Sequence, residues 1–283
     1  MSSSIVHNYI HLTRLDSFPL GSAIVFWPSA FGVTMASYCF GLSASDLSRQ
    51  LIGFGAGCTL LHSTFCILND ICDRDIDGLV ERTKSRPLVT GAVSLHGAWI
   101  LFLAFISATA CMLATFGLLS LPLHVLYPLT KRWTWWAQAW LGVCGGWSLF
   151  VGWFSVAGTR TTREHVLALF SMYAAVICWD IYVDTIYASQ DRKDDARIGI
   201  FSVARLFESR LRAFSAFCAF CAVALLICAG LFLGYGIPYY AIACGGASCH
   251  FAWQLYSWDP NDNKSSGMMF KVRKMHSLDG LPD

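Results

Sequence analysis

The sequence predicts an all-α, polytopic membrane protein. Of its 283 residues, 55% are hydrophobic and only 13% are charged, against about 25% charged residues in an ordinary soluble domain. Apolar stretches of about 20 residues, the length that spans a bilayer as a helix, recur along nearly the whole chain. The 20 Lys and Arg almost balance the 18 Asp and Glu, so the net charge gives no reason to expect a nucleic-acid partner.

About eight transmembrane helices are expected. The long apolar run from Leu95 to Leu129 is divided into two segments, because Gly117 and Pro122 interrupt it. An even number of spans places both termini on the same side of the bilayer. The predicted helices cover residues 20–42, 50–72, 95–115, 117–130, 137–157, 164–188, 211–233 and 237–257.

Basic residues are distributed unequally between the two sides of this topology. Arg49, Arg160 and Arg163 lie on the side opposite the termini, whereas the other Lys and Arg residues lie on the terminal side. Cytoplasmic loops of membrane proteins are enriched in Lys and Arg. The connections 73–94, 131–136 and 189–210 are therefore expected to face the cytosol or its equivalent.

Acidic residues are concentrated in two short windows at that same side. Each window places three carboxylates on one helical face, at spacings of i, i+3, i+7 and of i, i+7, i+11. Crowded carboxylates at the end of an apolar helix repel one another and need a compensating cation. Mg²⁺ takes carboxylate, water and phosphate oxygens, so two such sets predict a cradle for a diphosphate. The sets are Asp70, Asp73 and Asp77, and Asp184, Asp191 and Asp195.

Basic side chains on the same side support a diphosphate ligand. Guanidinium groups bind phosphate oxygens in a forked geometry, and ammonium groups bind them as point charges. The alternative is that both windows are ordinary solvated loops of mixed charge. The repeated spacing, and Asn69 and Asp70 directly after an apolar run, favour a functional site. The basic residues concerned are Arg82, Lys84, Arg86, Lys131 and Arg132.

These motifs resemble those of a known family. Residues 69–77, Asn-Asp-Ile-Cys-Asp-Arg-Asp-Ile-Asp, look like the NDxxDxxxD motif of the UbiA superfamily of intramembrane aromatic prenyltransferases. Residues 184–195 are similar to its second motif, DxxYAxxDxxxD. Residues 14–16, 82–88 and 127–132 also match in order and spacing, so the resemblance covers about residues 10–258.

The resemblance implies a horseshoe-like helical bundle whose central cavity opens toward the cytosolic side, with a lateral opening for a prenyl tail. It implies Mg²⁺-dependent transfer of a prenyl group from a prenyl diphosphate to a ring carbon of a phenolic acceptor. The metal ligands would be Asp73, Asp77, Asp191 and Asp195, with Asn69 and Asp184 completing the two sites and Asp70 as a ligand or supporting group. Arg86 and Lys131 would bind the diphosphate, and the rings of Tyr127 and Tyr187 would face the allylic cation.

His62 stands where family enzymes that act on 4-hydroxybenzoate usually carry arginine. Histidine cannot fork a carboxylate as guanidinium does. This favours an acceptor of the orsellinic-acid type and farnesyl diphosphate as donor, as in fungal meroterpenoid biosynthesis. The alternatives are a 4-hydroxybenzoate polyprenyltransferase of ubiquinone biosynthesis, in which acceptor choice depends on other residues, and a purely structural role for His62.

The resemblance also implies a ninth helix after residues 258–260. Residues 259–283 are too few and too charged to span a bilayer, so we expect a membrane domain at 1–258 and a polar tail at 259–283. No signal or transit peptide is recognised at the N-terminus. The endoplasmic reticulum or Golgi membrane is therefore expected rather than the mitochondrial inner membrane.

Two other classes of function remain open on the sequence alone. Acidic residues in membrane helices also mark the ion pathways of transporters, and Asp180 lies one turn deeper than Asp184. A catalytically inactive membrane scaffold is the third class, which the unusual C-terminal region leaves open. Neither class requires Mg²⁺-dependent diphosphate binding, so a measurement of that binding distinguishes both from a prenyltransferase.

Overall fold

In the computed structural model, residues 4–112, 115–130 and 132–271 are described, and no strand occurs among them. The predicted all-α class is confirmed. The described residues also contain short 3-10 turns at Leu15–Ser17 and Glu208–Arg210 and a π-helical turn at Tyr240–Cys244. The helices are α1 (Ile5–Thr13), α2 (Leu20–Phe40), α3 (Ala44–Cys72), α4 (Arg74–Asp77), α5 (Leu95–Met112), α6 (Thr115–Leu118), α7 (Leu121–Thr130), α8 (Ala137–Gly146), α9 (Ser148–Ala157), α10 (Arg163–Ala188), α11 (Arg192–Ile198), α12 (Val203–Leu206), α13 (Leu211–Phe232), α14 (Ile237–Tyr239), α15 (Gly245–Ser257) and α16 (Asn263–Lys271).

Helix α3 begins at Ala44. The apolar run predicts a later start, at residue 50. The Ser43 side chain caps the helix by accepting a hydrogen bond from Asp46 N at 3.1 Å, which satisfies a backbone donor of the first turn. The first turns of α3 are polar, so a prediction based on apolar residues does not include them in the helix. The predicted span 137–157 is also divided at Trp147 into α8 and α9.

Five helical segments in the described residues are long and apolar enough to cross a membrane by length and composition. They agree with the predicted class of polytopic membrane protein. The count of eight spans stays a prediction. The five segments are Ser22–Phe40, Ala44–Cys72, Ala137–Ala157, Arg163–Ala188 and Glu208–Phe232.

Glycine allows the backbones of α2 and α9 to touch. A Cβ atom added at Gly32 would lie 2.0 Å from the carbonyl oxygen of Leu149, and one at Gly152 would lie 2.3 Å from that of Ser29. Such close approach through small residues is the usual means of packing helices in a membrane. These two helices therefore form a pair whose crossing excludes any larger side chain.

The two helices that carry the aspartate motifs lie inside the bundle. Helix α3 packs against α2 and α5, and α10 packs against α8 and α13. Tyr182 of α10 and Trp258 after α15 are fully buried in one shared apolar cluster. Packing on several sides fixes the positions of both motif-bearing helix ends.

Part of the region predicted as a polar tail is helical. Helix α16 packs against α10, and the side chains of Ser265 and Ser266 are buried. The boundary predicted at residue 258 stays a prediction.

Candidate active site

The two aspartate motifs meet at the same end of the bundle. The backbone N–H of Glu81, in the loop that follows the first motif, donates to Asp194 Oδ2 at 3.2 Å. Arg197 in α11 donates to the carbonyl oxygen of Leu79 at 3.1 Å. These contacts join segments more than 100 residues apart in sequence. The two carboxylate stripes can form one site only if these segments meet.

Asp70 is the most enclosed carboxylate of the first motif, with its side chain 2% exposed. Both of its oxygens accept from Arg14 Nη2 at 2.8 Å. Arg86 Nη1 lies 2.9 Å from Asp70 and 2.5 Å from Asp77. Two arginines thus compensate two buried acids at the end of α3, and Asp70 supports the cluster from within the protein.

Asp73 precedes the short helix α4 and Asp77 is its last residue, and both are buried. Asp77 N donates to the backbone oxygen of Asp73 at 2.7 Å, and the hydroxyl of Thr83 donates to the backbone oxygen of Asp77 at 2.9 Å. Burial raises the pKa of the Asp77 carboxyl above its ordinary value, although Arg86 acts in the opposite direction. A further cation beside Asp77 would therefore stabilise its charged form.

Asp191 of the second motif is bound by an arginine from the loop that follows the first motif. Arg82 donates to Asp191 from Nε at 3.0 and 3.1 Å and from Nη2 at 2.6 Å. The same guanidinium lies 4.9 Å from the ring centroid of Tyr187. Tyr187 therefore presents its ring face to a positive charge, which is the geometry of a cation-π contact.

The remaining second-motif aspartates lie on the helices that flank Asp191. Asp184 is half-buried on α10, one turn before Tyr187, and Asp195 is half-buried on α11. The backbone N–H of Asp195 donates to the backbone oxygen of Asp191 at 2.8 Å. Asp180 is buried deeper on α10, beside Gly145 of α8.

In the described part of the chain, no three His, Cys, Asp or Glu side chains form a group that could hold a metal ion. Several carboxylates are paired with Arg14, Arg82 and Arg86 instead. Mg²⁺ usually takes only one or two carboxylates, together with waters and substrate phosphates. The carboxylate oxygens of the two motifs fit Mg²⁺, because the waters and the substrate phosphates would supply the other ligands.

The other predicted basic residues make different contacts. Arg132 donates to the carbonyl oxygen of Cys72 at 2.7 Å, next to the first motif. Lys84 pairs with Glu81 at 2.7 Å on the exposed surface. Lys131 lies outside the described residues.

His62, Cys66, Asn69 and Asp73 lie along one stripe of α3 and the residue that ends it, at i, i+4, i+7 and i+11. His62 Nε2 lies 3.4 Å from Cys66 Sγ, and both His62 and Asn69 are half-buried. Tyr127 is half-buried on α7, which packs against α3. This stripe leads from the carboxylates toward the interior of the bundle.

A cavity of about 560 Å³ lies beside the other half of α3. Its lining includes Leu61, Gly57 and Gly53 on α3, His124 on α7, and Asp46 at the far end of α3. The resemblance implies a cavity that opens on the carboxylate side, but this one reaches the opposite end of α3. At the carboxylate end, the Arg82–Asp191 pair bridges the two motifs.

Arg14 is the functional candidate that the site prediction omits. It precedes the first long helix and reaches Asp70, 56 residues away in sequence. The only sequence signal was the match of residues 14–16 to the family pattern, because no periodicity relates Arg14 to α3. Its role, like those of the other site residues, stays a prediction.

Comparison with known proteins identifies the family. The model of the UbiA prenyltransferase family matches residues 25–278. The UbiA prenyltransferase claS of Ampulloclitocybe clavipes is 39% identical, over 93% of this chain and 85% of that protein. The mitochondrial 4-hydroxybenzoate polyprenyltransferase of Schizosaccharomyces pombe is 32% identical, over 93% of this chain and 75% of that protein.

A solved structure shows the same fold. The apo UbiA homolog from Aeropyrum pernix K1 has a TM-score of 0.73 and 27% identity, covering 90% of this chain and 95% of that one. The resemblance in the motifs, the all-α membrane fold and the matches to named enzymes agree. The chain belongs to the UbiA prenyltransferase family and is an aromatic prenyltransferase.

Proposed function

We propose that this enzyme transfers a farnesyl group from farnesyl diphosphate to a ring carbon of an orsellinic-acid-type phenol in meroterpenoid biosynthesis, with Mg²⁺ as cofactor. The observation that carries the proposal is the convergence of both aspartate motifs around Arg82 and Arg86. A site with this many carboxylates and guanidinium groups is suited to a diphosphate and its metal ions.

Asp73, Asp77, Asp191 and Asp195 would hold Mg²⁺, supported by Asn69, Asp70 and Asp184. A UbiA homolog from Archaeoglobus fulgidus has been solved bound to GPP and Mg²⁺, and it shares this fold with a TM-score of 0.61 and 18% identity. When bound, the metal supplies positive charge that stabilises the departing diphosphate.

Arg86 would bind the diphosphate directly. A guanidinium has five N–H donors, and Nη1 makes both contacts to Asp70 and Asp77. Its remaining donors suit phosphate oxygens while the acids hold the group in place. Lys131 is proposed as a second cation for the diphosphate.

The chemistry breaks the allylic C–O bond and forms a C–C bond to the phenol. The electron pair of the broken bond leaves with the diphosphate, and the allylic cation that remains is faced by the ring of Tyr187, as Arg82 is now. Tyr127 would supply a second ring. The acceptor ring then attacks the cation and loses its proton, which restores aromaticity.

The acceptor would lie along the α3 stripe near His62. This residue is half-buried, one turn beyond Cys66 from the carboxylates. An imidazole cannot fork a carboxylate, so it suits an orsellinic-acid derivative, which offers further ring hydroxyls, better than 4-hydroxybenzoate, whose carboxylate is its main anchor. The 39% identity to claS, from a fungus, supports this assignment.

The second candidate is prenyl transfer to 4-hydroxybenzoate. It is favoured by relatives whose names state that activity, including the Schizosaccharomyces pombe enzyme and a 36% identical 4-hydroxybenzoate geranyltransferase from Lithospermum erythrorhizon. The two candidates differ in acceptor and organelle, not in the diphosphate chemistry.

His62→Arg tests the acceptor assignment. We expect the variant not to improve turnover of an orsellinate-type acceptor. If His62 sets selectivity, 4-hydroxybenzoate should gain by about tenfold relative to an orsellinate methyl ester, because arginine forks a free carboxylate and the ester offers none. The ratio of kcat/KM for the two acceptors measures this. An unchanged ratio would assign selectivity to residues other than His62.

The cavity beside α3 would receive the far part of the prenyl chain. Gly57 and Gly53 line it, and a Cβ atom added at either position would meet nothing within 4 Å. By helix rise, Gly57 lies about 20 Å along α3 from Asp70. Gly53 lies about 6 Å further, so the two positions sample the cavity at different depths.

Gly57→Leu is expected to shorten the donor that the enzyme prefers. The new side chain fills the cavity, so turnover of farnesyl diphosphate should fall about tenfold relative to geranyl diphosphate, whereas Gly53→Leu should penalise only longer donors. Gly55→Leu is the control, since its side chain would start beside Phe26 instead of in the cavity. If all three variants show the same donor profile as the parent, the tail lies elsewhere.

The direct test is an assay of isolated membranes with Mg²⁺, a series of prenyl diphosphates and two acceptors, with products identified by mass. Product with the orsellinate-type phenol alone supports the meroterpenoid assignment. Product with 4-hydroxybenzoate alone moves the enzyme to quinone biosynthesis. The organelle stays a prediction, which microscopy of the tagged protein would test.

A further inference from the structure

Residues 258–271, here named the C-terminal clamp, pack against the end of α10. Trp258 is fully buried, and Arg212 donates to its carbonyl oxygen. Gln254 Nε2 donates to the carbonyl oxygen of Met269 at 3.1 Å, while Gln254 Oε1 accepts from the hydroxyl of Tyr182 on α10. The clamp is thus tied to the core of the bundle at both of its ends.

A chain of hydrogen bonds runs from the clamp into the second motif. Trp258 Nε1 donates to Ser266 Oγ at 2.9 Å, Ser266 Oγ lies 2.8 Å from Ser189 Oγ, and Ser189 Oγ donates to the carbonyl oxygen of Ile186 at 2.7 Å. A hydroxyl has one hydrogen. The Ser189 hydroxyl donates to Ser266 Oγ and has the carbonyl oxygen of Ile186 as its alternative acceptor. Ser266 Oγ therefore accepts from both Trp258 and Ser189, which links the clamp to the turn.

Ser189 lies in the turn that separates Tyr187 from Asp191. The backbone N–H of Asp191 donates to the carbonyl oxygen of Ala188 at 3.2 Å. Gln190 in the same turn donates to the carbonyl oxygen of Tyr187 at 3.0 Å. Arg82 contacts the residues on both sides of the turn, the Tyr187 ring and the Asp191 carboxylate.

The clamp also contacts this turn by close packing. A Cβ atom added at Gly267 would lie 3.0 Å from Gln190 Oε1. Ser189 and Ser266 are both almost fully buried, so water does not readily replace either partner. The position of the turn, and with it the direction of Asp191, therefore depends on the clamp.

We propose that Ser266 and Trp258 are positioning residues for the second aspartate motif, which hold the Ser189 turn so that Asp191 is presented to the donor diphosphate. The proposal rests on the proposed function, because it assigns Asp191 to the diphosphate site. It gives residues that follow the last long helix a part in donor binding.

Ser266→Ala and Trp258→Phe test it, since each removes one link of the hydrogen-bond chain. Ser266→Ala removes a single oxygen atom, whereas Trp258→Phe also removes part of a buried ring system. We expect each to raise KM for the prenyl diphosphate, and the Mg²⁺ concentration for half-maximal activity, by about tenfold. KM for the aromatic acceptor should not change. Ser265→Ala is the matched control, because the buried Ser265 hydroxyl accepts from Asp259 N within the clamp and should leave both values unchanged.

A second measurement separates this proposal from the proposed function. Amide hydrogen exchange of residues 186–195 should accelerate in Ser266→Ala and Ser189→Ala, and no further in the double variant, because both act on one bond. Ser265→Ala should exchange as the parent does. This readout does not require turnover, so it holds even if the parent fails to use any prenyl diphosphate, which would overturn the function alone.

The proposal is overturned if the variants lower thermal stability but leave KM for the donor and the exchange of residues 186–195 unchanged. It is also overturned if both KM values rise together, since that describes a general loss of folded enzyme. If Ser266→Ala does not accumulate, Ser189→Ala carries the same tests, because it removes only the other oxygen of the same serine–serine bond.

Discussion

Replacing Asp73 or Asp191 with asparagine is expected to reduce prenyl transfer by about 10³-fold, equivalent to about 4 kcal/mol of transition-state stabilisation. The two residues belong to different motifs, and each substitution keeps the shape of the side chain while removing its charge. The loss follows if both carboxylates bind Mg²⁺ beside the leaving diphosphate. The measurement is kcat/KM for the donor across a series of Mg²⁺ concentrations, in detergent or reconstituted membranes.

Asp75→Asn is the matched control for this result. Asp75 lies on α4 between Asp73 and Asp77, but it is exposed, so its variant should retain the activity of the parent. Elution as a folded species and an unchanged thermal midpoint would show that the inactive variants keep their structure. Activity retained in both Asp73→Asn and Asp191→Asn would overturn the metal assignment.

Arg86→Ala is expected to destabilise the protein more than any exposed charge change. It leaves the buried Asp70 and Asp77 with less compensation, and removal of one partner of a buried ion pair costs about 3–5 kcal/mol. Lys84→Ala provides the comparison, because Lys84 and Glu81 form an exposed pair whose contribution is about 0–1 kcal/mol. Thermal midpoints of the two variants in the same detergent measure the difference.

The destabilisation by Arg86→Ala should depend on pH in a defined direction. Burial already raises the pKa of Asp77, and loss of Arg86 removes the charge that opposes this rise. A carboxyl whose pKa is higher in the folded state destabilises the fold as pH rises through that pKa. The deficit should therefore be largest near neutral pH and shrink on acidification. A deficit independent of pH would argue against an electrostatic cause.

The sequence predicted the helices well because apolar runs long enough to cross a bilayer have few other uses. It misplaced the start of α3. The Ser43 side chain caps this helix by accepting from Asp46 N, and both residues lie before the apolar run. The convergence of the motifs was predicted from the topology, which places both aspartate windows on the same side of the membrane. The Arg82–Asp191 and Arg14–Asp70 pairs were not, because periodicity carries no information on contacts between distant segments.

The C-terminal region shows a different limit of sequence reasoning. Length and charge predict that residues 259–283 form a polar tail and not a bilayer-spanning segment. They do not reveal that Ser266 can bond to Ser189 in α10's terminal turn. Composition decides which environments a segment avoids, whereas its partners depend on the shape of the surface that the rest of the chain presents.

The length of α3 has a consequence for the membrane itself. Its 29 residues extend about 44 Å, whereas the hydrocarbon core of a bilayer is about 30 Å thick. A helix that long must tilt or project beyond the acyl chains, and its polar first turns and terminal aspartates favour projection at both ends. The first aspartate motif would then lie at headgroup level, where a water-borne diphosphate and a lipid-dissolved chain can be held by one molecule. Activity in vesicles should accordingly vary with acyl-chain length, since a thicker bilayer draws the motif toward the hydrocarbon.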